Sequence, residues 1–208
     1  MANDHYYTAA PQSAHKPGEV CCTYRGHALR FATDSGVFSR TELDRGTEVL
    51  LDALPEDVAG DVLDMGCGYG VIGVAVGRQW PETRITMADI NERACGLSRE
   101  NARANGVEAT VLQSDGYEKV LAERFDLILQ NPPIRAGKAV IYQMFADASR
   151  CLRPGGELWL VIRKQQGAPS AMNYLRTLFE NVEAVEKKSG FWVLRCTQTK
   201  AYTEDETR

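Results

Sequence analysis

From residue 57 onward, short apolar runs alternate with segments of helical periodicity, and this alternation constrains the fold more than any other feature. The runs are DVLDM, RITMADI, EATVLQSD, FDLILQ and ELWLVI, and helical stretches separate most of them. Strands that alternate with helices are typical of a mostly parallel sheet covered on both faces. The last patterned segment, residues 181–196, predicts a β-hairpin that turns at Ser189-Gly190 and adds an antiparallel edge.

The residues before this regular region predict a smaller motif. VCCTYRGHALRFAT, residues 20–33, alternates in polarity around Gly26 and predicts two short strands joined by a turn. In the segment that follows, Ser39 or Thr41 is the expected N-cap of a helix. The apolar positions of that predicted helix are Leu43, Val49, Leu50 and Leu54.

The composition and the cysteine pattern favour a soluble protein of the reducing cytoplasm. Of 208 residues, 44% are apolar and 25% are charged, and no apolar run is long enough to span a membrane. The N-terminus lacks the basic start and apolar core of a signal peptide. None of the six cysteines forms a C-x-x-C pair, and the three histidines have no neighbouring ligand cluster. We therefore expect a cytoplasmic location, no disulfides and no metal.

Charge is unevenly distributed along the chain. The net charge is −4, yet residues 131–195 contain ten Lys or Arg against five Asp or Glu, a balance of +5. Such asymmetry can indicate a basic face for an anionic partner, or it can be ordinary solvated surface. On this signal alone the two interpretations have equal weight.

A glycine turn follows the strand DVLDM. In VLDMGCGYG, Gly66, Gly68 and Gly70 occupy alternate positions after Asp64. Glycine allows a sharp turn and the close approach of a ligand, and ligands of open α/β sheets bind at the carboxyl ends of strands. The turn alone is compatible with a dinucleotide site or with a plain strand–helix turn. Asp64, however, would repel a pyrophosphate and attract a cationic amino acid or a sulfonium ligand.

Two further acids end the next two strands. Asp89 lies where it can accept hydrogen bonds from ribose hydroxyls, and Asp115 lies where it can accept one from an adenine amine. Each acid alone is more commonly a loop residue or a helix cap. Acids at three successive strand ends favour a nucleoside site.

Residues 60 to about 196 resemble the class I S-adenosylmethionine-dependent methyltransferases. The resemblance implies S-adenosylmethionine as cofactor, with Gly66 and Gly68 lining its methionine part. It implies that Asp89 holds the ribose, that Asp115 meets the adenine, and that Asp64 lies near the amino group. The full set of cofactor-binding residues that we predict is Phe38, Asp64, Gly66, Cys67, Gly68, Gly70, Asp89, Ile90, Asn91, Ser114, Asp115 and Asn131.

The strand FDLILQ ends in NPPI, which resembles the N/D-P-P-Y/F motif of methyltransferases that modify a planar nitrogen. The lone pair of such a nitrogen is delocalised, so the nitrogen is a poor nucleophile. The Asn131 side-chain oxygen and the Pro132 carbonyl can accept its two N–H bonds and favour a more tetrahedral nitrogen. The predicted catalytic residues are Asn131, Pro132 and Pro133, whose prolines lack an N–H group and stiffen the loop. Ile134 replaces the usual aromatic residue and can give only an apolar contact.

Four separated blocks narrow the resemblance. SGVFSRTELDRGTEVLL, DMGCGYGVIGVAV, DINERACGLSRENARANG and NPPIRAGK together are similar to the small-subunit (16S) ribosomal RNA guanine-N2 methyltransferases in their short bacterial form. The resemblance implies guanine N2 as the acceptor, rRNA or the small ribosomal subunit as the partner, and a GVFS segment folded over the cofactor pocket. Longer members carry a second, degenerate half at the N-terminus, whereas only about 55 residues precede the glycine strand here.

The predicted fold class is therefore α/β, a Rossmann-like, doubly wound, seven-stranded, mostly parallel sheet with an antiparallel C-terminal hairpin and a small N-terminal β/helix extension. We divide the chain into a flexible N-terminus (1–17), an extension over the cofactor pocket (18–56), the methyltransferase catalytic domain (57–198) and a disordered tail (199–208). The sequence does not predict an oligomeric state.

The residues expected to contact the substrate flank the NPPI loop and the end of the strand ELWLVI. They are Ile134, Arg135, Lys138, Arg163 and Lys164. The four basic side chains can contact phosphates around a flipped-out nucleotide, although each alone is more commonly a solvated charge.

Two other functions remain open from the sequence. A protein glutamine-amide methyltransferase of the release-factor type would use the same chemistry, because an amide nitrogen is also planar. Those enzymes usually read NPPY and carry an N-terminal helical domain. The third candidate is a non-catalytic cofactor-binding scaffold, and the intact glycine turn and Asn131 argue against it.

Overall fold

The computed structural model of the chain describes residues 8–197. Its strands are β1 (Gly18–Tyr24), β2 (His27–Thr33), β3 (Asp61–Met65), β4 (Arg84–Asp89), β5 (Ala109–Gln113), β6 (Phe125–Gln130), β7 (Leu152–Arg163), β8 (Asn181–Lys188) and β9 (Phe191–Thr197). Seven of them form one sheet in the order β5-β4-β3-β6-β7-β9-β8. Strands β3 to β7 pair in parallel, and β9 pairs antiparallel with both β7 and β8.

Helices cover both faces of this sheet. They are α1 (Arg45–Ala53), α2 (Val71–Gln79), α3 (Glu92–Ala104), α4 (Lys138–Cys151) and α5 (Ala168–Leu175). Side chains alternate between the two faces along a strand, so Leu129 of β6 packs in the core under α1, α2 and α3, while its neighbour Ile128 packs under α4 and α5. The predicted doubly wound α/β fold with an antiparallel C-terminal hairpin is confirmed.

The helix that follows the GVFS segment begins later than predicted. Its N-cap is Asp44, so the expected cap at Ser39 or Thr41 is wrong. Leu43 and Leu54 consequently flank the helix instead of belonging to it. Asp, Ser and Thr are all good N-caps, and the sequence offers all three within six positions, so propensity alone does not choose between them.

Two later elements also differ from their predicted bounds. Strand β7 begins well before ELWLVI, because Leu152 already pairs with Phe125 across a register shift. The helical spacing of apolar residues in SAMNYLRTLF predicts a helix over residues 170–179, whereas helix α5 begins at Ala168, after a left-handed Gly167, and ends at Leu175. Both differences come from tertiary pairing and turn geometry, which periodicity does not report.

The N-terminal hairpin of β1 and β2 lies against α3. Asn101 of α3 accepts from the Ala32 N–H at 2.8 Å and donates to the Ala32 carbonyl at 3.0 Å, so one side chain continues the edge of the hairpin. The same amide donates to the Tyr69 carbonyl at 2.8 Å, which ties the hairpin to the glycine turn. This docking places the residues between β2 and α1 beside the carboxyl ends of the parallel strands.

The predicted domain limits stay predictions. Of the expected flexible N-terminus, residues 1–7 lie outside the described part of the chain, while residues 9, 11 and 13 make hydrogen bonds to the first turn of α3. The expected disordered tail, residues 199–208, also lies outside the described residues. Within residues 8–197, no helix has the length and apolar character needed to cross a membrane.

Candidate active site

A cavity of about 870 Å³ opens at the carboxyl ends of five neighbouring strands. The loops after β3, β4, β5, β6 and β7 all contribute to its wall, and the segment between β2 and α1 covers it from the side. An open α/β sheet binds its ligands at this edge because the parallel strands deliver their loops to one place. Of the residues predicted to form the site, the cavity is lined by Phe38, Gly66, Cys67, Gly68, Asp89, Ile90, Ser114, Asp115, Asn131, Pro132, Pro133, Ile134, Arg135 and Arg163.

The glycine turn after β3 presents bare backbone to this cavity. Gly66 and Gly68 have φ values of 75° and 56°, and a Cβ atom added to either would meet nothing within 4 Å. Gly70 has a different role, because it is the N-cap of α2 and a Cβ atom added to it would lie 3.2 Å from the Ser98 α-carbon of α3. Two of the three predicted glycines therefore lie on the cavity wall, and the third sets the distance between two helices.

Asp89 reaches the cavity from the end of β4. One of its carboxylate oxygens accepts from the Gly68 N–H at 2.8 Å, and the other accepts from the Asn91 N–H at 2.9 Å. Burial raises the pKa of Asp89, and these backbone donors oppose that rise. Each carboxylate oxygen has two lone pairs, so both oxygens can accept a further hydrogen bond from a ligand.

Asp64 and Asn91 are close to the cavity without lining it. Asp64 is fully buried, and its Oδ2 accepts from the Gly73 N–H at 2.9 Å. Burial raises its pKa to about 7. Asn91 is the N-cap of α3 and donates to the Gly36 carbonyl at 2.8 Å, which anchors the GVFS segment to the end of β4.

The loop after β5 contributes Ser114 and Asp115 to the wall. Ser114 is buried, donates to the Gly116 carbonyl at 2.9 Å and accepts from the Lys119 N–H at 3.1 Å, so it fixes the loop. Asp115 is exposed next to it. Cys67 lies in the wall as a buried thiol whose pKa is raised by burial.

The loop after β6 carries Asn131 with its amide group in one orientation. Its Nδ2 atom donates to Asp44 Oδ2 at 2.8 Å and to Thr47 Oγ1 at 3.0 Å. An ionised carboxylate can only accept, so the amide nitrogen must face Asp44 and the oxygen is left for other partners. The Pro133 carbonyl accepts from the Ala136 N–H at 2.8 Å, whereas no donor within residues 8–197 hydrogen-bonds to the Pro132 carbonyl. Two acceptors at this loop are therefore available to a ligand.

Sequence reasoning missed Asp44 and Thr47, which both line the cavity. The sequence signal for Asp44 is its N-cap position, but nothing along the chain links it to Asn131, which lies 87 positions away. The structure also adds Val37, Tyr69, Val140, Gln166 and Phe191 to the cavity wall.

The predicted substrate residues divide into two groups. Ile134, Arg135 and Arg163 line the cavity, and the Arg163 guanidinium lies 4.7 Å from the centre of the Phe191 ring. Lys138 and Lys164 do not line it; the Lys138 ammonium lies over the Tyr142 ring instead, at 4.9 Å. Within residues 8–197, no group of three or more His, Cys, Asp or Glu side chains could hold a metal ion.

Comparisons with known proteins give similarities to methyltransferases. The model of the family described as methyltransferase small domain matches residues 28–195. YbxB of Bacillus subtilis, described as an uncharacterized protein, is 42% identical over 93% of this chain and 98% of its own length. Ribosomal RNA small subunit methyltransferase C of Pasteurella multocida is 44% identical over 64% of this chain and 42% of its own. Ribosomal RNA large subunit methyltransferase G of Streptomyces avermitilis is 38% identical over 79% of this chain and 44% of its own.

Among solved structures, the 16S rRNA N2 methyltransferase RsmC of T. thermophilus in complex with AdoMet and guanosine is similar with a TM-score of 0.80 and 27% identity. That similarity covers 90% of this chain and 52% of the other. The chain thus spans about half the length of the named ribosomal RNA methyltransferases that it matches.

Proposed function

The chain belongs to the methyltransferase small domain family, and we propose that it transfers a methyl group from S-adenosylmethionine to the exocyclic N2 amine of a guanine in 16S rRNA. The observation that carries this proposal is the Asn131 amide, which lies on the cavity wall and donates both of its protons to α1. Within residues 8–197, no donor hydrogen-bonds to the amide oxygen or to the neighbouring Pro132 carbonyl. Two adjacent acceptors suit an amine that has two hydrogens to donate.

The cavity wall fits the cofactor at three places. The bare backbone of Gly66 and Gly68 leaves room for its methionine part. Asp89 keeps lone pairs for the ribose hydroxyls, and Asp115 lies on the next loop, within reach of an adenine amine. When bound, the cofactor supplies an electrophilic methyl group on a sulfonium. Asp64, beneath the turn, contributes electrostatically to this end of the cavity and does not touch the ligand in our proposal.

The proposed reaction depends on how the protein positions the amine more than on a general base. The guanine N2 lone pair is delocalised into the ring, and two acceptors that hold both N–H bonds favour a more tetrahedral nitrogen. The lone pair of that nitrogen can then point in line at the methyl carbon. The amine becomes acidic once it is methylated, so its proton can leave without a strong base. The rigid Pro132-Pro133 loop holds the acceptors in place.

An RNA partner is supported by the charge on the cavity wall. Arg135 and Arg163 both line the cavity, so two cations border the proposed substrate site. Phosphate contacts of this kind position an RNA without reading its sequence. We further propose that the protein acts in the cytoplasm on rRNA or on the small ribosomal subunit. The name of the 27%-identical neighbour, with AdoMet and guanosine bound, supports the 16S guanine substrate.

Labelled S-adenosylmethionine and undermodified rRNA test the proposal. We expect label in 16S rRNA, free or within the small subunit, and N2-methylguanosine in nucleosides analysed by mass spectrometry. Asn131→Ala should lower kcat by about 10² or more while cofactor affinity changes little, because an acceptor aimed at the reacting amine acts on the transition state. Asn173→Ala, an exposed amide on α5, is the matched control and should leave kcat unchanged.

Three outcomes would overturn the proposed substrate. Label confined to 23S rRNA would indicate a large-subunit RNA substrate, as in the name of the Streptomyces avermitilis relative. Label on a release factor, with none on RNA, would identify a glutamine-amide methyltransferase. Calorimetry that detects no S-adenosylmethionine binding would leave a non-catalytic scaffold.

A further inference from the structure

We propose that Asp44 and Thr47 are positioning residues that hold the Asn131 amide with its oxygen toward the cavity. The proposal rests on the proposed function, because it takes that oxygen as the acceptor for the substrate amine. Both residues belong to the start of α1, which is remote in sequence from the NPPI loop, and both line the cavity.

The hydrogen bonds account for both protons of the Asn131 amide. One proton points to Asp44 Oδ2 at 2.8 Å and the other to Thr47 Oγ1 at 3.0 Å. The same Asp44 oxygen accepts the Thr47 backbone N–H at 2.8 Å, as an N-cap does. The helix cap and the amide anchor are thus one carboxylate oxygen, so the first turn of α1 and the NPPI loop are locked together.

The anchor matters because an amide has two ends of nearly equal shape and opposite chemistry. If Asn131 were flipped, its NH₂ group would face the cavity and meet the N–H bonds of the substrate amine, donor against donor. The flipped amide would also place its oxygen against the Asp44 carboxylate, oxygen against oxygen at 2.8 Å. Asp44 therefore excludes the unproductive orientation.

The charge of Asp44 adds a second effect. Hydrogen bonds to a carboxylate are stronger than those between neutral groups, and hydrogen bonds in a chain polarise one another. The hydrogen bond from the Asn131 amide to the Asp44 carboxylate polarises the amide, and this polarisation increases the electron density on the amide oxygen. Asp44 thereby makes the Asn131 oxygen a better acceptor for the substrate amine, without itself touching that amine.

The start of α1 is seated tightly enough to act as an anchor. Gly46 is buried, and a Cβ atom there would lie 3.0 Å from the Phe191 ring of β9, so the first turn approaches the sheet more closely than a larger residue allows. Thr47 is buried, and the far end of the helix is held by the Tyr24 hydroxyl, which donates to the Leu51 carbonyl at 3.1 Å. A rigid support of this kind fixes a catalytic group to within a fraction of an ångström.

Kinetics separate positioning from a purely structural role. Asp44→Ser keeps a good N-cap but is too short to reach Asn131, and Thr47→Val keeps the shape of threonine without its acceptor. We expect each to lower kcat by about tenfold or more, with the KM for RNA and the Kd for S-adenosylmethionine within about twofold. The control is Glu48→Gln, on the same helix turn, which should leave kcat unchanged. Wild-type kcat in Asp44→Ser would overturn the proposal.

A paired substitution gives a sharper test. Asn131→Asp sets two carboxylates against each other and should lose more activity than either of the single variants above. Adding Asp44→Asn to Asn131→Asp removes one of the two facing charges, so the double variant should recover at least about tenfold of the lost kcat. Independent, multiplying losses would show that the two side chains do not act through each other.

Side-chain NMR tests the hydrogen bonds that anchor the Asn131 amide, independently of any methylation assay. The Asn131 NH₂ resonances, assigned by their loss in Asn131→Ala, should exchange slowly with solvent and shift in Asp44→Ser but not in Glu48→Gln. Unshifted, fast-exchanging resonances would overturn the anchor. If the wild-type amide is anchored but the protein methylates no guanine, the proposed function is wrong. The proposed anchoring of Asn131 by Asp44 is then still supported.

Discussion

Asp64 is a single carboxyl group whose protonation affects the stability of the fold. It is fully buried, one oxygen accepts from Gly73, and the other oxygen has no hydrogen-bond partner within residues 8–197. Burial raises its pKa from the ordinary 3.8 to about 7, and the neighbouring charge of Asp89 adds to the rise. Because the folded-state pKa is the higher one, the contribution of Asp64 to stability is complete below pH 3.8 and is lost as the pH rises through about 7.

Asp64→Asn should remove this pH dependence, because an amide does not ionise in this range. Relative to the wild type, the free energy of unfolding of the variant should increase between about pH 4 and pH 8, by up to on the order of 4 kcal/mol. Urea denaturation at a series of pH values measures the difference, and any constant cost of the amide cancels in it. Asp57→Asn, at an exposed acid, should show no such trend. A flat difference for Asp64→Asn would mean that the buried carboxyl is already ionised at low pH.

Among single residues, the sequence predicted those site residues that directly follow a strand or begin a helix. Asp89, Asn91 and Asn131 each follow a recognisable apolar run, and the structure places all three at the carboxyl edge of the sheet. The contact of Asn131 with Asp44 could not be predicted, because it depends on how α1 docks across the sheet. Hydrophobic periodicity predicts which face of a helix or strand is buried. It does not predict which distant segment packs against that face.

Among the elements, the segment before β1 has a specific anchor in Arg93 at the start of α3. The Arg93 guanidinium donates to the Ser13 carbonyl at 2.9 Å and to the Ser35 carbonyl at 2.7 Å, and its side chain is only 12% exposed. The neighbouring Glu92 N–H donates to the Ala9 carbonyl at 3.0 Å. One arginine therefore joins the N-terminal segment and the loop before α1 to the start of α3.

Arg93→Ala should release residues 9–16 while the sheet stays folded. The lost bonds come from a charged and largely buried donor, so amide hydrogen exchange in this segment should rise by roughly tenfold or more. Exchange measured by mass spectrometry should show little change in β3 or β6. Arg99→Ala, at an exposed position on the same helix, should leave the segment protected. Equal exchange in both variants would assign the protection of residues 9–16 to contacts other than Arg93.

Some element boundaries could not be predicted from the sequence either, because tertiary contacts set them. The start of β7 lies in a stretch with Pro154, Gly155 and Gly156, residues that predict a turn. The structure extends the strand through them because Leu152 pairs with Phe125, and a Cβ atom at Gly156 would lie 3.0 Å from the Phe125 carbonyl. Local preference was overridden there by strand pairing, whereas the hairpin turn at Ser189-Gly190, where φ is positive at both residues, follows local preference and was predicted.

Across the whole molecule, the two ends of the sheet have different roles. The carboxyl ends of the strands carry the cavity, and the amino ends carry a network of ion pairs centred on Asp61. Its carboxylate accepts from Arg84 at 2.9 Å and from Arg153 at 2.7 Å, and Arg153 also pairs with Asp126 at 2.7 Å. Hydrogen bonds from Arg84, opposed by desolvation and aided by Arg153, lower the pKa of Asp61 to about 2.

Substitutions at the two ends should therefore separate stability from cofactor binding. Because the folded-state pKa of Asp61 is lowered, its stabilising contribution is present above pH 3.8 and is lost as the pH falls through about 2. Asp61→Asn should lower the free energy of unfolding at pH 7 by about 1 kcal/mol, since its arginine partners are partly exposed, and leave cofactor affinity unchanged. Asp115→Ala, at the opposite edge, should weaken S-adenosylmethionine binding by about tenfold at unchanged stability. Calorimetry and urea denaturation of both variants give the four values, and a loss of cofactor affinity in Asp61→Asn would show that the two ends are coupled through the sheet.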